Sequence, residues 1–118
     1  MIAIVDDYKA VREGLEKLLQ SLGYRTCTFG SAEDFLKSEK LHDTSCLVTD
    51  VQMPDLSGID LQARLIAEGH RIPIIFITAH PGEDVRARAM NAGAIGFLVK
   101  PVDVAQLIGC IKQVLQAA

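Results

Sequence analysis

Cys46-Leu47-Val48-Thr49-Asp50 is a short run of mostly apolar and β-branched residues that ends on a carboxylate. Three more segments are built the same way. Ile2-Ala3-Ile4-Val5 runs into Asp6-Asp7, Pro73-Ile74-Ile75-Phe76-Ile77 into Thr78, and Phe97-Leu98-Val99 into Lys100-Pro101. Short apolar runs bounded by polar residues read as strands buried on both faces, which is how the strands of a helix-covered parallel sheet look. In such a sheet the carboxyl ends share one edge, and ligands bind outside that edge. The four runs therefore predict a site as well as a fold, with three carboxylates, a hydroxyl and an ammonium along one rim.

Helical patterns fill the intervals. Val11, Leu15, Leu18, Leu19 and Leu22 recur at helical spacing, and Gly23 is a natural stop. A further strand is expected over Arg25 to Phe29. Ser31 with Asp34, and Ser57 with Asp60, have the spacing of helix-capping pairs. The second pair opens a helix carrying Leu61, Leu65 and Ile66 and ending at Gly69. Pro81 suits the first turn of a helix running towards Met90, with Gly93 past its end. Asp103 caps a last helix whose apolar stripe is Leu107, Ile108, Ile111, Val114 and Leu115. Five strands thus alternate with five helices, and right-handed crossovers leave few arrangements. The expected fold is α/β: a flavodoxin-like, doubly wound (βα)5 with a five-stranded parallel sheet in the order 2-1-3-4-5. Its switch point falls between strands one and three, where Asp6, Asp7 and Asp50 would flank the crevice.

At 118 residues, 49% of them hydrophobic, the chain is long and apolar enough for one domain, expected to span residues 1–118. No apolar stretch exceeds five residues, so no membrane span is expected. No basic region followed by an apolar one precedes the first strand, as a signal peptide would require. Cys27, Cys46 and Cys110 are odd in number and widely spaced, which suits buried free thiols in a cytoplasmic protein. A net charge of −3 with scattered Lys and Arg disfavours nucleic-acid binding by this domain itself.

Carboxylates gathered together repel one another, and a divalent cation removes that penalty. Magnesium fits best, because it takes oxygen ligands and binds through one or two carboxylates together with phosphate oxygens. A carboxylate beside such an ion can attack phosphorus and form an aspartyl phosphate. Lys100 would offer positive charge to the phosphoryl oxygens, and Thr78 a hydroxyl hydrogen bond. Asp50 stands alone at the end of the central strand and is the acceptor in this reading. Asp6 and Asp7 are adjacent and suit holding the metal, directly or through water.

Val5-Asp6-Asp7, Asp50-Val51-Gln52-Met53-Pro54 with Gly58, Ile77-Thr78-Ala79 and Lys100-Pro101 occur in the order typical of response-regulator receiver domains of two-component signalling. Each motif alone is weak, but together they are specific, and the resemblance covers essentially the whole chain. Val11-Arg12-Glu13, Phe29-Gly30-Ser31-Ala32 and Ile75-Phe76-Ile77-Thr78-Ala79-His80 further resemble the FixJ-like subgroup. The resemblance implies that a sensor histidine kinase phosphorylates Asp50. It implies Mg2+ ligation by Asp7, Asp50 and the backbone carbonyl of Gln52, with Asp6 acting through water. It makes Thr78 and Phe97 the switch pair and the peptide bond before Pro101 cis. Output is expected from the face formed by the helix from about Gly82 to Asn91, the strand ending at Val99 and the last helix. That face would control a phosphorylation-dependent homodimer or an output domain, with DNA contacted through a further C-terminal domain. A stand-alone receiver that regulates a protein partner or serves a phosphorelay is the alternative.

Two positions depart from the common pattern. Phe97 stands where Tyr is frequent, and His80-Pro81-Gly82 replaces a glycine-rich turn, which Pro81 should stiffen. The three histidines, His42, His70 and His80, read as solvated loop residues. The chain is expected to be a self-phosphorylating and autodephosphorylating switch, not an enzyme turning over an external substrate. A small-molecule phosphatase of the haloacid-dehalogenase-like type would need an Asp-x-Asp motif, which is absent. A flavodoxin-type nucleotide binder would need a Ser/Thr-rich loop where Asp6-Asp7 stands. A docking-only pseudo-receiver would not need the full set of site residues.

Overall fold

The computed structural model describes residues 1–115, so the last three of the expected 1–118 domain lie outside the described residues. The strands are β1 (Ile2–Val5), β2 (Thr26–Phe29), β3 (Cys46–Asp50), β4 (Ile74–Thr78) and β5 (Gly96–Val99). The helices are α1 (Lys9–Ser21), α2 (Ala32–Lys37), α3 (Gly58–Ala67), α4 (Glu83–Asn91) and α5 (Val104–Leu115), with a 3-10 turn at Glu39–Asp43. All four strand pairings are parallel and the order is β2-β1-β3-β4-β5, so the expected five-stranded sheet and its switch point between β1 and β3 are present.

Every residue of β1, β3 and β4 is buried, which explains their unbroken apolar sequences. Strand alternation divides them between two cores. Ile2, Ile4, Val48, Ile75 and Ile77 pack against Leu15 and Leu19 of α1 and Leu107 and Ile111 of α5. Ala3, Val5, Leu47 and Phe76 pack against Phe35 of α2, Leu61 and Leu65 of α3 and Ala89 of α4. Helices therefore cover both faces, and the upper rim of the sheet is left to the loops.

The capping signals hold. Ser31 Oγ accepts the Asp34 N–H at 3.1 Å, Ser57 and Asp60 form a reciprocal capping box, and Asp103 Oδ1 accepts the Gln106 N–H at 3.1 Å. Gly23, Gly69 and Gly93 follow their helices with φ of 92°, 82° and 102°, a region that side chains disfavour. Pro81 is a correction. It lies outside α4, whose N-cap is Gly82, because the first helical bond runs from the Arg86 N–H to the Gly82 carbonyl. β2 starts one residue later than expected, at Thr26. Leu22 and Ile66 leave their expected stripes and are 47% and 52% exposed, since each lies at the end of its helix beyond the packed face. All three cysteines are free, but only Cys46 is buried. Burial, then the nearby Cys110 thiol, pushes the Cys46 thiol up to about 12, so it stays protonated and unreactive.

Candidate functional site: an acidic rim bridged by one lysine

Alternation along β1, β3 and β5 carries Asp6, Asp50 and Lys100 to the same side as Ile4, Val48 and Leu98. Lys100 Nζ donates to Asp6 Oδ2 at 3.1 Å and to Asp50 Oδ2 at 3.2 Å. The other oxygens of these acids are held by backbone. Asp6 Oδ1 accepts the Tyr8 N–H at 2.9 Å, and Asp50 Oδ1 accepts the Gln52 N–H at 3.3 Å. Asp6 is fully buried and Asp50 is 4% exposed. Arg12 Nη1 donates to the Asp6 carbonyl at 2.8 Å and braces the turn into α1. Gly58 opens α3 directly over the strand end, where any Cβ would run into the Asp50 carbonyl oxygen. The peptide bond between Lys100 and Pro101 is cis, as the sequence resemblance implied.

Asp7 differs from its neighbours. Its Oδ1 is buried and has no hydrogen-bond partner. One oxygen from each of Asp6, Asp7 and Asp50 lies within 4.8 Å of the others. Three carboxylates face a single ammonium, so negative charge is left over, and one buried oxygen lacks a donor. A hard divalent cation answers both needs, and the residues present fit one. Burial raises the Asp6 carboxyl above its ordinary 3.8, partly opposed by the Tyr8 N–H and Lys100 and reinforced by Asp50. For Lys100, burial alone would lower the ammonium, but its hydrogen bonds and charge interactions with Asp6 and Asp50 outweigh that and raise it above 10.5.

Thr78 ends β4 with 1% exposure, and its Oγ1 accepts the His80 N–H at 3.1 Å. Its carbonyl accepts the Lys100 N–H at 2.8 Å, which ties the two strand ends together. Phe97 pairs with Phe76 across β4 and β5, with ring centroids 6.3 Å apart. Thr78 stands two residues beyond Phe76, so Thr78 and Phe97 are diagonal neighbours on the sheet face covered by α4. Phe97 does not border the acidic cavity.

That cavity holds about 110 Å³ and is lined by Asp7, Tyr8, Asp50, Gln52, Ala79, His80 and Lys100. Wider clefts of about 540 and 490 Å³ beside the C-terminal halves of α3 and α4 have no carboxylate in their walls. Of the lining residues, Tyr8 is absent from the sequence reading, and His80 enters it only as a solvated loop residue of the His80-Pro81-Gly82 turn. Tyr8 was not singled out, although an aromatic directly after an acidic pair was the available signal; its ring centroid lies 5.6 Å from Lys100 Nζ. His80 is exposed, as expected of a loop histidine, yet it borders the site, and its position two residues past Thr78 was the clue.

Comparison with known proteins agrees with this geometry. Residues 2–112 match the family model described as response regulator receiver domain. The chain is 42% identical over 118 residues to response regulator protein TmoT of Ectopseudomonas mendocina, covering 100% of this chain and 54% of that protein. It is 39% identical over 111 residues to transcriptional regulatory protein FixJ of Azorhizobium caulinodans, covering 94% of this chain and 53% of that protein. The solved structure of response regulator StyR superposes with a TM-score of 0.90 at 46% identity, over 98% of this chain and 59% of that one. The chain therefore spans about half the length of the curated relatives it matches. By its strand order, its acidic rim and these matches, the chain belongs to the response regulator receiver domain family.

Proposed function

We propose that residues 1–118 act as one receiver domain that takes a phosphoryl group onto Asp50 from a sensor histidine kinase in the cytoplasm. The observation that carries this reading is the Lys100 bridge between Asp6 and Asp50, set beside the unpartnered Asp7 oxygen. Asp7, whose buried Oδ1 lacks a partner, Asp50 and the Gln52 backbone carbonyl would hold Mg2+, with Asp6 reaching it through water, as the family resemblance implies. When bound, Mg2+ supplies positive charge that draws in phosphoryl oxygens and offsets carboxylate repulsion.

A carboxylate oxygen of Asp50 forms the new bond to phosphorus while the bond from phosphorus to the donor's imidazole nitrogen breaks. Lys100 swings from Asp50 Oδ2 towards an incoming phosphoryl oxygen and keeps its bond to Asp6 Oδ2 as a pivot. Asp6 thus steers the ammonium rather than the phosphorus. The Thr78 hydroxyl donates to another phosphoryl oxygen, and that inward turn frees space for its diagonal neighbour Phe97, whose ring has no hydroxyl and answers to packing alone. Output passes through α4, β5 and α5, where Met90, Val99 and Val104 are 36%, 48% and 45% exposed and suit a phosphorylation-dependent homodimer. The relative named as a transcriptional regulator supports transcription control through a DNA-binding domain joined to this one. No helix among the described residues is long and apolar enough to cross a membrane.

The test is intact-mass analysis after incubation with Mg2+ and acetyl phosphate. The wild-type chain gains one phosphoryl group and Asp50→Ala gains none. An adduct that persists in Asp50→Ala, or no adduct on the wild type, overturns the assignment.

A further inference from the structure

Tyr8 is 64% exposed, yet it lines the cavity that contains Asp50. Its backbone is fixed: the N–H is bonded to Asp6 Oδ1 and the carbonyl accepts the Arg12 N–H at 3.1 Å. The side chain makes no capping bond to α1. The ring therefore stands at the cavity mouth on a fixed backbone, with Lys100 Nζ 5.6 Å from its centre. The cavity is small, about 110 Å³. A phosphoryl group bonded to Asp50 would take up much of that space and leave its donor's leaving group towards the mouth, where Tyr8 is exposed.

We propose that Tyr8 is a specificity-determining residue whose ring stacks on the imidazole leaving group of a phosphohistidine donor as it meets Asp50. This rests on Asp50 being the phosphoacceptor. In the step, an Asp50 carboxylate oxygen bonds to phosphorus as the phosphorus–nitrogen bond breaks. The bonding pair stays on that nitrogen, and the imidazole, already protonated on its other nitrogen, departs as a neutral ring. A flat aromatic leaving group gains stacking on Tyr8, whereas the acetate released by acetyl phosphate has no aromatic face to stack.

The experiment compares phosphorylation rates of wild type, Tyr8→Ala and Tyr8→Phe with monophosphoimidazole and with acetyl phosphate, both with Mg2+. Tyr8→Ala is expected to slow transfer from monophosphoimidazole about three- to ten-fold, the range an aromatic pair commands, and transfer from acetyl phosphate less than about two-fold. Tyr8→Phe keeps the ring and is expected to match wild type with both donors. An equal effect of Tyr8→Ala on the two donors, or no effect, overturns the proposal, as does a Tyr8→Phe variant as slow as Tyr8→Ala. If the wild-type chain accepts phosphate from neither donor, the Asp50 assignment itself fails and this inference falls with it. Because Tyr8 is 64% exposed and its side chain makes no capping bond, both variants are expected to fold, which circular dichroism checks.

Discussion

α3 and α4 are neighbours on one sheet face, and each follows a strand whose end carries a site residue, yet they are anchored very differently. α3 starts from a full capping box, seats Gly58 on the Asp50 carbonyl and buries Leu61, Gln62 and Leu65. α4 starts at Gly82 with no side-chain cap, and Ala89 is its one buried residue. Even that patch leans on α3, because the buried Gln62 Nε2 donates to the Ala89 carbonyl at 3.1 Å. The difference teaches where freedom is kept. The helix beside Asp50 is clamped, and the helix beside Thr78 is loosely held. Elements that move are drawn from the least stable parts of a fold, and α4 meets that description.

The comparison can be broken by truncating a core residue in each helix. Leu65→Ala, at 1% exposure, is expected to cost about 2–5 kcal/mol in urea unfolding. Val85→Ala in α4, only partly buried, is expected to cost about 1 kcal/mol or less. Equal losses would show that α4 is as firmly packed as α3. The caps sharpen the contrast at smaller scale. Ser57→Ala removes the α3 cap and is expected to cost about 1 kcal/mol. Gly82→Ser gives α4 a capping oxygen and is expected to add a few tenths of a kcal/mol, most clearly as slower amide exchange in residues 83–91.

Legibility in the sequence follows the same divide. The strands could be read because burial on both faces forces continuous apolar runs, and the acids could be read because they interrupt those runs at the rim. α3 could be read from Ser57 and Asp60. The start of α4 was misplaced at Pro81, since Glu83–Asn91 is mostly charged and small and carries little periodicity. The 3-10 turn at Glu39–Asp43 escaped notice, because one buried side chain, Leu41, leaves no repeat to detect. Tyr8 escaped for a different reason. It reaches the site from a loop, and loop side chains follow no period that points them at a target.

The lysine bridge also bears on how the chain assembles. It joins residues 94 apart in sequence, so it can form only after the first and last strands have entered the same sheet. A contact of such long loop closure belongs late on the folding route and is absent from an early nucleus. Lys100→Met should therefore hasten unfolding while leaving the refolding rate nearly unchanged, a displacement of one arm of the chevron plot. The residue that would meet the phosphoryl group would then also be among the late contacts to close as the chain folds.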